Sequence, residues 1–146
     1  MKYIQVKQGQ LGFAEMEKPI PAADECLIKV EAIGVNRADI LQRQGKYPAP
    51  AGESEILGLE VSGEIIQLGS QVKSWQVGQR MFGLVAGGAY AQYVVIKAAH
   101  IMLLPNDFSF ERGAAIAETY LTAYQCLFLL GNIQERQSVL IHAGAS

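Results

Sequence analysis

Between Met1 and Pro105 no stretch of the sequence sustains a 3.6-residue apolar period, while glycine or proline breaks the chain at short intervals. Amphipathic helices need that period to bury a continuous stripe, so this part of the chain must build its core from short strands. Cys26-Leu27-Ile28-Lys29-Val30-Glu31-Ala32 shows the strand pattern most plainly, with Cys26, Ile28, Val30 and Ala32 on one face and Lys29 and Glu31 on the other. Further strands are expected at Val61 to Leu68, Gln79 to Val85 and Tyr90 to Lys97, with Gly87-Gly88 as a hairpin turn between the last two. Strands this short, in a chain with 15 glycines among 146 residues, point to a barrel or sandwich with glycine at its corners.

One helix interrupts the strands at Asn36 to Gln44, with Asn36 as its N-cap and Gly45 as its stop. The following Lys46-Tyr47-Pro48-Ala49-Pro50-Ala51-Gly52 is a loop stiffened by two prolines and carrying one aromatic, a combination suited to binding. After Pro105 the composition changes. Ser109 can cap a helix with Glu111 in its first turn, and Gly113 to Ile133 is apolar on nearly every side, so that helix expects burial on more than one face. Ser138-Val139-Leu140-Ile141-His142 reads as a buried strand of the parallel-sheet kind, running into the small-residue turn Ala143-Gly144-Ala145-Ser146. A buried strand leading into such a turn is how the phosphate loop of a dinucleotide-binding unit begins. The helix expected next is absent, as in a fold cut at its first βα turn.

Hydrophobic residues make up 50% of the chain, charged residues 18%, and the net charge is -2. This is an ordinary globular composition, long enough to bury a core without disulfide or metal staples. Without a basic excess there is no footprint for phosphate contacts, so no nucleic acid partner is expected. Cys26 and Cys126 are a hundred positions apart with no other thiol, which precludes a C-x-x-C pair or a four-cysteine zinc clip and fits reduced thiols in the cytoplasm. Met1 to Val6 has no secretory h-region, and the longest apolar run, Ala114 to Leu130, falls short of the ~20 residues of a membrane span. No membrane partner is expected.

Several motifs occur in a specific order: Ile33-Gly34-Val35-Asn36-Arg37-Ala38-Asp39, Gln42-Arg43-Gln44-Gly45-Lys46-Tyr47, Leu57-Gly58-Leu59-Glu60-Val61-Ser62-Gly63, Val77-Gly78-Gln79-Arg80, Gly87-Gly88-Ala89-Tyr90-Ala91, Leu121-Thr122-Ala123-Tyr124 and Val139 to Ser146. In this order they resemble the amino-terminal part of NAD(P)H:quinone oxidoreductases, the zeta-crystallin-like branch of the medium-chain dehydrogenase/reductase superfamily. The resemblance implies a mostly β fold: a GroES-like barrel with short helices over residues 1–108, followed over 109–146 by the first helix and strand of a truncated Rossmann α/β domain. It implies hydride transfer from NADPH, in a full-length protein, to a quinone or other conjugated carbonyl substrate. The fragment alone is expected to be inactive.

In the zinc alcohol dehydrogenases of that superfamily, the segments similar to those around Asn36, Leu59 and Glu118 supply cysteine, histidine and cysteine to the catalytic metal. Leucine cannot ligate, and an amide with a carboxylate does not make the usual N/S zinc site, so no zinc is expected. In its place the Tyr47 phenol, projecting from the proline-stiffened loop, is the candidate catalytic group, donating a hydrogen bond to the developing quinol oxygen. The plain alternative for Tyr47 is cover at the barrel rim.

Asn36, Tyr47, Thr122, Gly144 and Ser146 are the candidate cofactor-binding residues. Asn36 suits a carboxamide or ribose, and its plain alternative is the helix cap. Thr122 lies where the similar family position faces the nicotinamide, and it can equally bond a carbonyl of its own helix. Gly144 and Ser146 would open the cofactor loop. Glu118 is a site residue or a structural hydrogen-bonding hub, with the structural reading preferred, Asp39 and Glu60 read as carboxylates that support site residues or are structural, and Cys26 and Cys126 read as inert core thiols. Two other functions fit the same residues: a stand-alone GroES-like module that binds or interacts without catalysis, and an enoyl reductase of the same superfamily. The apolar faces over 110–146 also predict a homo-oligomer formed through that segment.

Overall fold

In the computed structural model, which describes residues Met1–His142, β1 (Lys2–Lys7) and β2 (Gln10–Glu15) form an antiparallel hairpin. Gln8 and Gly9 both take positive φ, 53° and 74°, as a two-residue turn matched to strand twist requires. Sequence reading missed this hairpin because Gln-Gly lacks the Asn or Asp that usually marks such a turn.

The main sheet has five antiparallel strands in the order β6-β3-β4-β5-β7. They are β3 (Glu25–Ile33), β4 (Glu60–Leu68), β5 (Arg80–Leu84), β6 (Tyr93–Lys97) and β7 (Ile101–Leu103). Only a 3-10 turn, Ala98–His100, separates β6 from β7, although these strands lie at opposite ends of the sheet order. The sheet therefore curls until its ends meet. A Cβ on Gly83 of β5 would fall 2.5 Å from the His100 carbonyl oxygen and 2.8 Å from Ile96 of β6, so glycine is what lets the curled faces close. Inside lie Cys26, Ile28, Val61, Ile65, Met81, Ala89, Val94, Ile96 and Ile101, with Trp75 half-buried against them and its indole N–H on the Ala98 carbonyl at 3.0 Å.

Gly87-Gly88 is not a hairpin turn, because β5 and β6 do not pair. The glycines serve a close approach instead: the Gly88 N–H donates to the Ile56 carbonyl at 2.7 Å, and a Cβ on Gly87 would run into the Ser54 carbonyl oxygen. Strand β6 starts at Tyr93 rather than Tyr90 because Tyr90 and Ala91 are engaged with β1, through the Ile4 N–H on the Tyr90 carbonyl and a bridge from Tyr3 to Ala91.

The helix expected from Gly113 to Ile133 is broken into α2 (Phe110–Ala114), α3 (Ala117–Tyr124) and a π-helical turn, Gln125–Leu130, preceded by α1 (Arg37–Arg43) earlier in the chain. Strand alternation turns Val61 and Ile65 of β4 into the core and leaves Glu60 and Ser62 on the opposite face. The break between α2 and α3 follows from what that face offers. The Ser62 hydroxyl donates to the Phe110 carbonyl at α2, and Glu60 takes the first turn of α3. Arg80 donates to the Asn106 and Phe108 carbonyls and lies 4.6 Å over the Phe110 ring, fastening the connection ahead of α2.

Beyond α3 the expected burial does not occur. Leu129 and Leu130 are exposed, and so is Cys126, which is therefore not a core thiol, whereas Cys26 is fully buried. Ser138–Ile141 pairs with none of the described strands and is exposed, because a parallel-type strand needs neighbours that these residues do not supply. Gly144 and Ser146 lie outside the described residues.

Candidate active site

Two carboxylates organise the ground between α1, β4 and α3. Asp39 and Glu60 are 3% and 2% exposed, and a buried carboxylate must be hydrogen-bonded to persist. Asp39 Oδ1 accepts the Gly58 N–H at 3.2 Å, and its Oδ2 accepts both the Asn36 N–H at 2.8 Å and the Tyr90 hydroxyl at 3.2 Å. Glu60 Oε1 accepts Asn36 Nδ2 at 2.9 Å, and Oε2 accepts the Glu118 N–H at 2.9 Å. Each oxygen has a donor.

Asn36 is half-buried at the N-cap of α1, extended at φ -115° and ψ 159°, and forms a capping box with Asp39. It thus caps and also faces a second carboxylate. Helix α3 begins at an isoleucine N-cap, Ile116, which has no side-chain acceptor, so Glu60 supplies from β4 what the local sequence lacks. Nothing in the residues around Glu118 signals this cap, since the acceptor lies 58 positions earlier.

Burial first, then the charge and hydrogen bond of Asp39, push the Tyr90 phenol up to about 12. Thr122 lies on the exposed side of α3 and donates to Glu118 Oε1 at 3.4 Å, one turn earlier, rather than to a backbone carbonyl. Tyr47 is 44% exposed on the loop after α1, and among the described residues its hydroxyl has no hydrogen-bond partner. Asn36 and Glu118 therefore converge through Glu60, while Tyr47 stands apart from that network. Sequence reading missed Tyr90 and Gly58 as members of it.

Of the three positions expected to correspond to zinc ligands, Asn36 reaches Glu60 through its side chain, Glu118 reaches it only through its backbone N–H, and Leu59 precedes it in the chain. Their chemistry does not fit the metal. The Asn36 nitrogen is committed to Glu60, Leu59 has no donor atom, and among the described residues no three His, Cys, Asp or Glu side chains cluster as a metal site requires. Among the same residues, no helix is long and apolar enough to cross a membrane.

Residues 22–106 match the alcohol dehydrogenase GroES-like domain family. The chain is 35% identical over 142 residues to a Danio rerio protein named synaptic vesicle membrane protein VAT-1 homolog, covering 97% of this chain and 28% of that protein. It is 37% identical over 135 residues to a quinone oxidoreductase of Lama guanicoe, covering 91% of this chain and 40% of that one. Its structure superposes on that of Escherichia coli quinone oxidoreductase complexed with NADPH with a TM-score of 0.75 at 32% identity, covering 86% of this chain and 39% of the other. The chain belongs to the alcohol dehydrogenase GroES-like domain family, as the amino-terminal portion of a quinone-oxidoreductase-like member of the medium-chain dehydrogenase/reductase superfamily. It spans about a third of the length of the curated relatives it matches.

Proposed function

We propose that this chain is the catalytic-domain portion of a zinc-free, NADPH-dependent quinone oxidoreductase. Residues 1–108 form the GroES-like catalytic unit, and 109–146 open the nucleotide-binding domain. The observation that carries the reading is that the Asn36 side chain and the start of α3 at Glu118 meet on Glu60, next to Leu59, so the three segments adjoin although their side chains offer no zinc donor set. The relatives support NADPH and quinone, since one is named a quinone oxidoreductase and one structure is described with NADPH.

NADPH supplies the hydride when bound. The residues present fit its nicotinamide end. Asn36 is half-buried and retains one amide N–H beyond the one given to Glu60, and Thr122 is accessible on α3. Gly144 and Ser146 would contact the phosphate side. The Tyr47 phenol, free of protein partners among the described residues, donates to the carbonyl oxygen of the quinone or conjugated carbonyl as negative charge develops there.

Tyr47→Phe in the protein carrying its full reading frame tests the assignment. A donor that acts mainly in the transition state is worth on the order of tenfold or more in kcat, with NADPH affinity little changed. Unchanged kcat would return Tyr47 to cover at the rim.

A further inference from the structure

Glu60 is where β4, the start of α1 and the start of α3 meet, and its two oxygens face donors of different kinds. The Glu118 donor is a backbone N–H, which cannot reverse its polarity. The Asn36 donor belongs to a side-chain amide, which presents NH2 at one end and a carbonyl at the other. A carboxylate that accepts at both oxygens leaves only one arrangement. The NH2 end of Asn36 turns to Glu60, and the carbonyl end points away from it, while the first turn of α1 is closed by the Asp39 N–H on the Asn36 backbone carbonyl at 3.1 Å. With the amide held by Glu60 through one N–H, its unused polar hydrogen is the second one on Nδ2.

We propose that Glu60 is a positioning residue: it locks the Asn36 amide so that Asn36 offers a ligand a hydrogen-bond donor, and it ties that donor to α3, which carries Thr122. The ligand atom that Asn36 takes is then an acceptor oxygen of the carbonyl type, carried either by the carboxamide of the cofactor or by the substrate. This rests on the reading of Asn36 as a contact residue.

A polarity-swap cycle separates the lock from ordinary packing. In Glu60→Gln the new carbonyl must stay with the Glu118 N–H, so the new NH2 meets the Asn36 NH2, and closing that contact requires the Asn36 amide to turn over, which withdraws its donor and leaves neutral hydrogen bonds where charge-assisted ones stood. Asn36→Asp sets a carboxylate against the Glu60 carboxylate. Combining the two substitutions closes the network again, because the introduced aspartate accepts from the glutamine NH2 and still caps α1.

On the 146-residue chain, the thermal unfolding midpoint should fall by on the order of 3–6 °C in each single variant and recover most of that loss in the double. In the protein with its full reading frame, the double variant should still show about a tenfold loss in NADPH affinity or in quinone KM, because aspartate offers no donor. Loss in NADPH affinity assigns the oxygen to the carboxamide, and loss confined to quinone KM assigns it to the substrate. A double variant no more stable than the sum of its single losses overturns the lock. One that regains stability and ligand affinity together overturns the donor role. Wild-type protein that consumes no NADPH with any quinone overturns the proposed function and the donor role with it, while the unfolding cycle still decides the lock.

Discussion

The Tyr90 hydroxyl donates to Asp39 Oδ2 at 3.2 Å, joining the segment ahead of β6 to the first turn of α1. Asp39 in turn accepts from the Asn36 and Gly58 N–H groups, so three separate parts of the chain are held by one buried carboxylate. A hydrogen bond to such a group stabilises the fold by about 1 kcal/mol at a partly exposed donor.

The Tyr90 bond makes stability depend on alkaline pH. The folded phenol titrates near about 12, above the ordinary value of about 10, because burial and Asp39 both oppose tyrosinate. Between those values the folded state binds the proton more tightly than the unfolded state, so the contribution is complete below pH 10 and is lost as pH rises toward 12. Denaturant midpoints measured against pH should show wild type ahead of Tyr90→Phe at neutral pH and the gap closing over that window. A gap that stays constant to pH 12 would contradict the assignment.

Gly34 is required by space rather than by conformation. A Cβ there would run into Glu60 Oε1 and lie 2.5 Å from its Cδ, and Glu60 cannot swing aside without releasing Asn36 and Glu118. Gly34→Ala should therefore cost about 1–3 kcal/mol in chemical denaturation, the range of overpacked cores. Equal stability would mean the carboxylate has room that the structure denies it.

How far the sequence could be read follows from where each signal resides. Strands β3, β4 and β5, helix α1 and its Asn36 cap were legible because alternation and capping are local patterns. The division of α2 from α3 was not, because the cap on α3 comes from Glu60, and neither was the role of Gly87-Gly88, whose neighbour is Ser54 rather than a paired strand. That the Asn36, Leu59 and Glu118 segments belong together was legible only through resemblance. Tyr90 was hidden because no spacing rule links position 90 to Asp39, 51 residues away.

The apolar side chains of α3 and the segment after it predict association. Tyr120, Leu129, Leu130 and Leu140 are 70%, 64%, 81% and 82% exposed, a run that favours contact with a second copy. Light scattering on this chain should give the mass of at least two copies, and replacing Leu129 and Leu130 together by glutamate should shift it toward the monomer. A monomer at high concentration without substitution would contradict this.

The central claim is hydride transfer from NADPH to a quinone without zinc. The most direct measurement is NADPH consumption by the protein carrying its full reading frame, with quinone present, after exhaustive chelation and with zinc content determined on the same sample. The predicted result is quinone-dependent consumption at a rate unaffected by chelation, on protein holding no stoichiometric zinc. Consumption lost on chelation and restored by zinc, or seen only with an enoyl thioester, would contradict it.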